Sequence, residues 1–205
     1  MGITIHYRGK IDRINDVAQL STEIKEYADI LQWDSRQWKE NWNLPNSAAL
    51  EKNKDGLALS GHIPIRGISL FPDPNCEPLF LTFCRDGTMA SSMNMVIMAE
   101  KDFDSDGIWL STKTQFASTD IHISIIKLLR FVKSKYVSDL EVRDDGRYWE
   151  SGDAANLEER FQRIGAAIDS LPGALNLIPQ KELKNKTPEE IADFIENMIK
   201  RKFGK

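Results

Sequence analysis

The chain has only two cysteines in 205 residues, Cys76 and Cys84, eight positions apart. That spacing matches neither a zinc pair nor a redox C-x-x-C, and two thiols are too few for a disulfide scaffold. Both are expected to be reduced thiols in a core or a loop. Long apolar runs are also missing. The longest, 93–99 and 79–83, fall far short of the roughly twenty residues of a membrane span. The opening Met1-Gly2-Ile3-Thr4-Ile5-His6 lacks the charged-then-apolar order of a secretory signal, so a cytoplasmic location is expected. Positive charge is not in excess: 27 Lys and Arg stand against 31 Asp and Glu, a formal charge of -4. That balance argues against general nucleic-acid binding. No G-x-S-x-G elbow, H-E-x-x-H, P-loop or G-x-G-x-x-G occurs, which removes the common motif-bearing hydrolases and nucleotide binders.

What remains is a soluble-type composition, 41% hydrophobic and 28% charged, long enough to bury a sizeable core without staples. Ile3, Ile5 and Tyr7 alternate with Thr4, His6 and Arg8, the two-residue period of a half-buried strand. Val17, Leu20, Ile24, Tyr27, Ala28 and Leu31 form one stripe of a helix that Asn15 or Asp16 would cap. Residues 33–46 read as an irregular crossing segment. From Gly56 to Trp109 every signal is β: 57–59, 62–70, 79–84, 93–98 and 108–110, punctuated by Pro72-Asp73-Pro74, Asp86-Gly87 and Asp106-Gly107. An antiparallel meander is the economical reading. Ile121, Ile125, Leu128, Leu129, Val132 and Tyr136 line one face of a second helix, capped by Ser118 or Thr119. Asp145-Gly146 predicts a hairpin joining 139–143 to 147–151, and a third helix follows Asp153 and stops before Leu171-Pro172-Gly173.

The expected architecture is α+β: a mostly antiparallel sheet with helices packed on one face, in a single domain over 1–171. A linker over 172–186 then leads to a C-terminal amphipathic helix over 187–203. Thr187-Pro188-Glu189-Glu190 supplies its cap, first-turn proline and capping-box glutamate. The opening Gly2–Lys10, the run Lys113-Thr114-Gln115-Phe116 followed by His122, and Leu140-Glu141-Val142 with Tyr148-Trp149-Glu150 resemble a group of uncharacterised bacterial proteins of about 170–200 residues. The resemblance covers about the first 170 residues and implies no activity, so it lends no residue a role.

Several clusters are candidates for chemistry. Asp102-Phe103-Asp104-Ser105-Asp106-Gly107 imitates the first half of a calcium loop, but Lys113 stands where the bidentate glutamate belongs. No metal and no cofactor are expected. Millimolar calcium should therefore leave the melting temperature unchanged, and a rise of several degrees would contradict this. His122 falls on the shoulder of its helix's buried stripe, either as a hydrogen-bonded boundary histidine or as a general base. Trp33, Trp38 and Trp42 either close the core or form an aromatic docking surface. The expected hairpin sets Glu141 opposite Glu150 and Arg143 opposite Tyr148. Opposed carboxylates cost stability, so that face is balanced by arginine, binds a partner, or holds a carboxylate pair.

Two functional readings follow. The first is a non-enzymatic protein-interaction module, of an immunity or antitoxin type. It would bind a protein partner through Trp38, Trp42, Glu141, Arg143, Tyr148 and Glu150, or self-associate through the C-terminal helix, without nucleic acid or membrane. The alternative is a hydrolase whose site is built from His122, Glu141 and Glu150.

Overall fold

A computed structural model describes residues 2–54, 56–100 and 108–176. The chain divides into two compact units, one spanning Gly2–Leu157 and a second made chiefly of residues from Glu158 onward. The calcium-like loop at 102–107 and the C-terminal helix at 187–203 lie outside the described residues, as does the linker from 177 to 186.

The fold is α+β, and among the described residues every strand pairing is antiparallel. Its elements in order are β1 (Thr4–Arg8), a 3-10 turn (Ile14–Asp16), α1 (Val17–Ile30), β2 (Asp34–Lys39), β3 (Ala49–Asn53), β4 (Gly56–Ser60) and β5 (Arg66–Phe71). There follow β6 (Leu79–Phe83), α2 (Ser92–Glu100), β7 (Leu110–Lys113), α3 (Thr119–Lys135), β8 (Glu141–Asp144), α4 (Tyr148–Ser151) and α5 (Ala154–Asn176). Instead of one meander, the strands among the described residues divide into three sheets, ordered β7-β1-β8, β2-β5-β6 and β3-β4.

The two-residue period of β1 turns Ile5 and Tyr7 into the core and His6 and Arg8 outward. Because β1 is the central strand, its two neighbours are contributed from far along the chain. α3 forms where its stripe predicts, burying Ile125, Leu128, Leu129 and Val132, and Ser118 Oγ accepts the Ile121 amide as its cap. α1 also forms, packed on β5 and β2. Asp16 makes no capping bond, because its carboxylate is paired with Arg13.

Five expectations need correction. Residues 93–98 lie in α2, not a strand. A short apolar run fits a buried strand and a buried helix equally, and the local cap decides. Ser91 Oγ accepts the Asn94 amide while Asn94 Oδ1 accepts the Ser91 amide, a reciprocal cap with asparagine in the glutamate's place. Residues 34–39, read as irregular, form the edge strand β2 because β5 offers them a partner. The strand expected over 62–70 begins only at Arg66. The Asp145-Gly146 hairpin does not form: β8 pairs with β1, and 148–151 is the single helical turn α4, closed by Gly152 at φ 66. Finally, the backbone of α5 runs through Leu171-Pro172-Gly173 to Asn176. Among the described residues no helix is long and apolar enough to cross a membrane.

Candidate functional site

The tryptophans of the second strand define a cleft. On β2, Trp38 stands opposite Gly67 of β5. Gly67 has φ +135, and a Cβ there would lie 2.2 Å from the Leu81 carbonyl oxygen of β6, so this position admits no side chain. Trp38 is buried, donates from Nε1 to Ser69 Oγ at 3.1 Å, and carries the Arg36 guanidinium 4.0 Å from its ring centre. The chain then turns at Asn41–Leu44, where the Leu44 amide meets the Asn41 carbonyl. That turn brings Trp42 round, and its Nε1 donates to the Phe83 carbonyl at 3.1 Å. Arg66 stacks on Trp42 at 4.5 Å and is itself held by the Glu40 carbonyl.

The space between this strand and α1 is a cleft of about 580 Å³, lined by Trp38, Trp42, Gly67, Gln37, Lys39 and Arg66 on one side and by Val17, Ala18 and Ser21 on the other. Its size falls within the range of ordinary ligand sites, roughly 300–1,000 Å³. Both indole N–H groups are already satisfied inside the protein, and Trp38 is buried in a core cluster with Ile63, Ile65 and Met95, so of the two rings only Trp42 is partly open to the cleft. The charged groups among its described lining residues are Lys39 and Arg66, both cationic. Trp33 is not part of it: it is buried edge-on to Tyr27, ring centres 5.9 Å apart.

A second cluster occupies the outward face of the β7-β1-β8 sheet. His6 lies across from Ser111 on one side and Arg143 on the other. Its Nδ1 is 2.7 Å from Ser111 Oγ, and its Nε2 is 3.9 Å from Asp145 Oδ2. Arg8 grips Glu141 with one nitrogen at 2.8 and 3.0 Å from the two carboxylate oxygens. The guanidiniums of Arg8 and Arg143 each lie over the Trp109 ring, 4.7 and 4.4 Å from its centre.

The third cluster is sealed. His122, expected at the boundary, is fully buried at 0% exposure. Its Nδ1 is 2.8 Å from Thr114 Oγ1 and its Nε2 is 3.1 Å from Asp144 Oδ1. Asp144 also accepts the amides of Gly146 at 2.7 Å and Trp149 at 2.9 Å. Burial alone would raise the Asp144 carboxyl, but the His122 contact and these amides outweigh it and hold it below the usual carboxylate range. A Cβ on Gly146 would stand 3.0 Å from both His122 Nε2 and Asp144 Oδ1 and 2.6 Å from Leu157 Cδ1. The knot ties β7, α3 and the turn after β8 together, which is a structural task.

The sequence candidates therefore separate. Trp38 and Trp42 meet in one cleft. Glu141 and Arg143 share the outer sheet face. Glu150 is exposed on α4 and does not oppose Glu141, since no hairpin joins their segments. Tyr148 is buried with Arg130 above its ring, which leaves little of it for a partner. His122 meets neither glutamate; its partners are Asp144 and Thr114. Sequence reasoning missed both of these, along with Ser111, Asp145, Trp109 and Arg66. The alternation of β1 was the one available signal, since it already turned His6 outward. His62 is held elsewhere, with Nε2 2.9 Å from the Asn41 carbonyl.

No group of three or more His, Cys, Asp or Glu side chains suited to a metal exists among the described residues. Burial pushes the Cys76 thiol up to about 12 and the Cys84 thiol up to about 11, which leaves both protonated and unreactive near neutrality. Comparison of the chain with protein-family models, curated proteins and solved structures finds no match in any of the three.

Proposed function

We propose that this chain is a protein-interaction module that holds an acidic, apolar segment of its partner in the Trp38–Trp42 cleft. The observation that carries this reading is that the half-buried Trp42 lines one concavity with two cations, Lys39 and Arg66, beside the buried Trp38. Tryptophan and arginine are enriched among the residues that dominate binding energies once a partner covers them. The cations favour a carboxylate-bearing segment over a basic one, and Arg66, stacked on Trp42 and fixed through Nε, is already ordered before binding. The first turns of α1 line the far wall, and their dipole adds partial positive charge on that side.

The test is selection of peptides from a random display library on the full chain. Winners should combine aspartate or glutamate with an aromatic or branched apolar residue. Trp42→Ala should weaken the selected peptide by about thirtyfold or more, the size of a 2 kcal/mol hot spot. Lys39→Glu, at an exposed position where folding is not at stake, should weaken it less and steepen the loss at low salt. Basic winners, or peptides bound equally well by Trp42→Ala, would sink the reading.

A further inference from the structure

We propose that Ser111 is a reactive nucleophile, with His6 as its general base, in a surface site that transfers the acyl group of small anionic carboxylic esters. The site is independent of the tryptophan cleft. Ser111 Oγ lies 2.7 Å from His6 Nδ1, within proton-transfer reach, and Ser111 is exposed on β7. When Nδ1 accepts the serine proton, Nε2 carries the other ring proton and faces Asp145 Oδ2 at 3.9 Å. The Thr4 amide holds that carboxylate at 3.3 Å. Asp145 is a positioning residue: its charge stabilises the imidazolium that forms as His6 takes the proton. The register fixes the arrangement, because Ser111, His6 and Arg143 stand side by side across three neighbouring strands. Arg143 supplies the positive charge that selects an anionic ester.

The step balances without a co-reactant other than water. Ser111 Oγ attacks the ester carbonyl carbon and its proton passes to His6. The ester C–O bond then breaks, and the alcohol leaves with that proton. Water, deprotonated by His6, next cleaves the acyl-serine, and Ser111 recovers its proton as the carboxylic acid departs. The buried knot provides an internal control. Thr114, His122 and Asp144 present the same functional groups in a similar sequence of contacts, yet all three are closed to solvent. A reagent that finds activated hydroxyls should reach Ser111 and not Thr114.

The experiment treats the full chain with a small alkyl fluorophosphonate, which forms a serine–phosphorus bond as fluoride leaves. Intact mass and peptide mapping then locate the label. One label per chain at Ser111 is expected, absent in Ser111→Ala and slowed about a hundredfold in His6→Ala, the usual contribution of a positioned base. The His6→Ala melting temperature should be unchanged, because His6 faces outward. With labelling in hand, p-nitrophenyl hemisuccinate should be cleaved faster than p-nitrophenyl acetate, and Arg143→Gln should erase the difference. Labelling that His6→Ala does not slow, a label at another residue, or no label where a known serine hydrolase is fully modified would each overturn the proposal. Equal rates on the two esters would overturn its anionic preference.

Discussion

Replacing Asp144 with alanine is expected to cost about 3–5 kcal/mol of folding stability, the usual loss when one member of a buried pair is deleted. The carboxylate accepts the Gly146 and Trp149 amides and faces His122 Nε2, and its side chain is 0% exposed. Alanine leaves those groups without acceptors in a dry interior, where each unsatisfied donor costs about 1–3 kcal/mol. Asp144→Asn keeps one acceptor oxygen and should cost less. Urea unfolding monitored by circular dichroism measures both variants. The sign of the pH dependence follows from the direction of the shift. The Asp144 carboxyl titrates below its unfolded value, so its contribution is fully present above about pH 4. That contribution is lost as the pH falls through the folded value. Wild-type stability should therefore fall more steeply in acid than that of Asp144→Ala. A cost below about 1 kcal/mol, or parallel acid limbs, would show that the knot is not a structural anchor.

Gly67→Ala should cost about 3 kcal/mol or more, combining backbone strain with a clash that no rotamer relieves. At φ +135 an L side chain is already strained. Its Cβ would also stand 2.2 Å from the Leu81 carbonyl oxygen and 2.8 Å from the Thr82 Cα, both backbone atoms of the neighbouring strand. β5 would have to part from β6, and Trp38 opposite would lose its seat. Gly56→Ala separates the two effects. Gly56 has φ +125 with nothing within 4 Å of the added atom, so it carries the strain alone and should cost about 1–2 kcal/mol. Equal costs at the two positions would mean that the close approach of β5 to β6 contributes nothing.

Local pattern was enough wherever an element is held by its own periodicity. β1 alternates, α1 and α3 carry stripes, and Ser118 caps α3 as its residue type predicts. It failed where a distant partner decides. Asp145-Gly146 has the composition of a hairpin turn, but β1, more than a hundred residues earlier, takes β8 as its neighbour. With the hairpin gone, the expected opposition of Glu141 and Glu150 went as well. Helical spacing placed His122 near the edge of a buried stripe, and nothing local announces that Thr114 and Asp144 meet it from two other elements. The cleft was half legible. The cluster of Trp33, Trp38 and Trp42 marked the segment for docking or core closure, but in a stretch read as irregular, whereas Trp38 and Trp42 are joined by an edge strand and a turn. The cation that completes them, Arg66, belongs to another strand and leaves no mark in the tryptophan segment.

The central claim is that the cleft lined by Trp38 and Trp42 is the binding surface, and the five indole N–H resonances of the intact chain test it most directly. Trp33, Trp38, Trp42, Trp109 and Trp149 each give one such signal in a nitrogen–proton correlation spectrum. Titration with the acidic display-selected peptide should move the Trp38 and Trp42 signals together, saturating at one stoichiometry, while those of Trp33, Trp109 and Trp149 stay in place. Movement of Trp109 alone, or of Trp149 alone, with Trp38 and Trp42 unmoved at saturation, would place binding elsewhere and contradict the account.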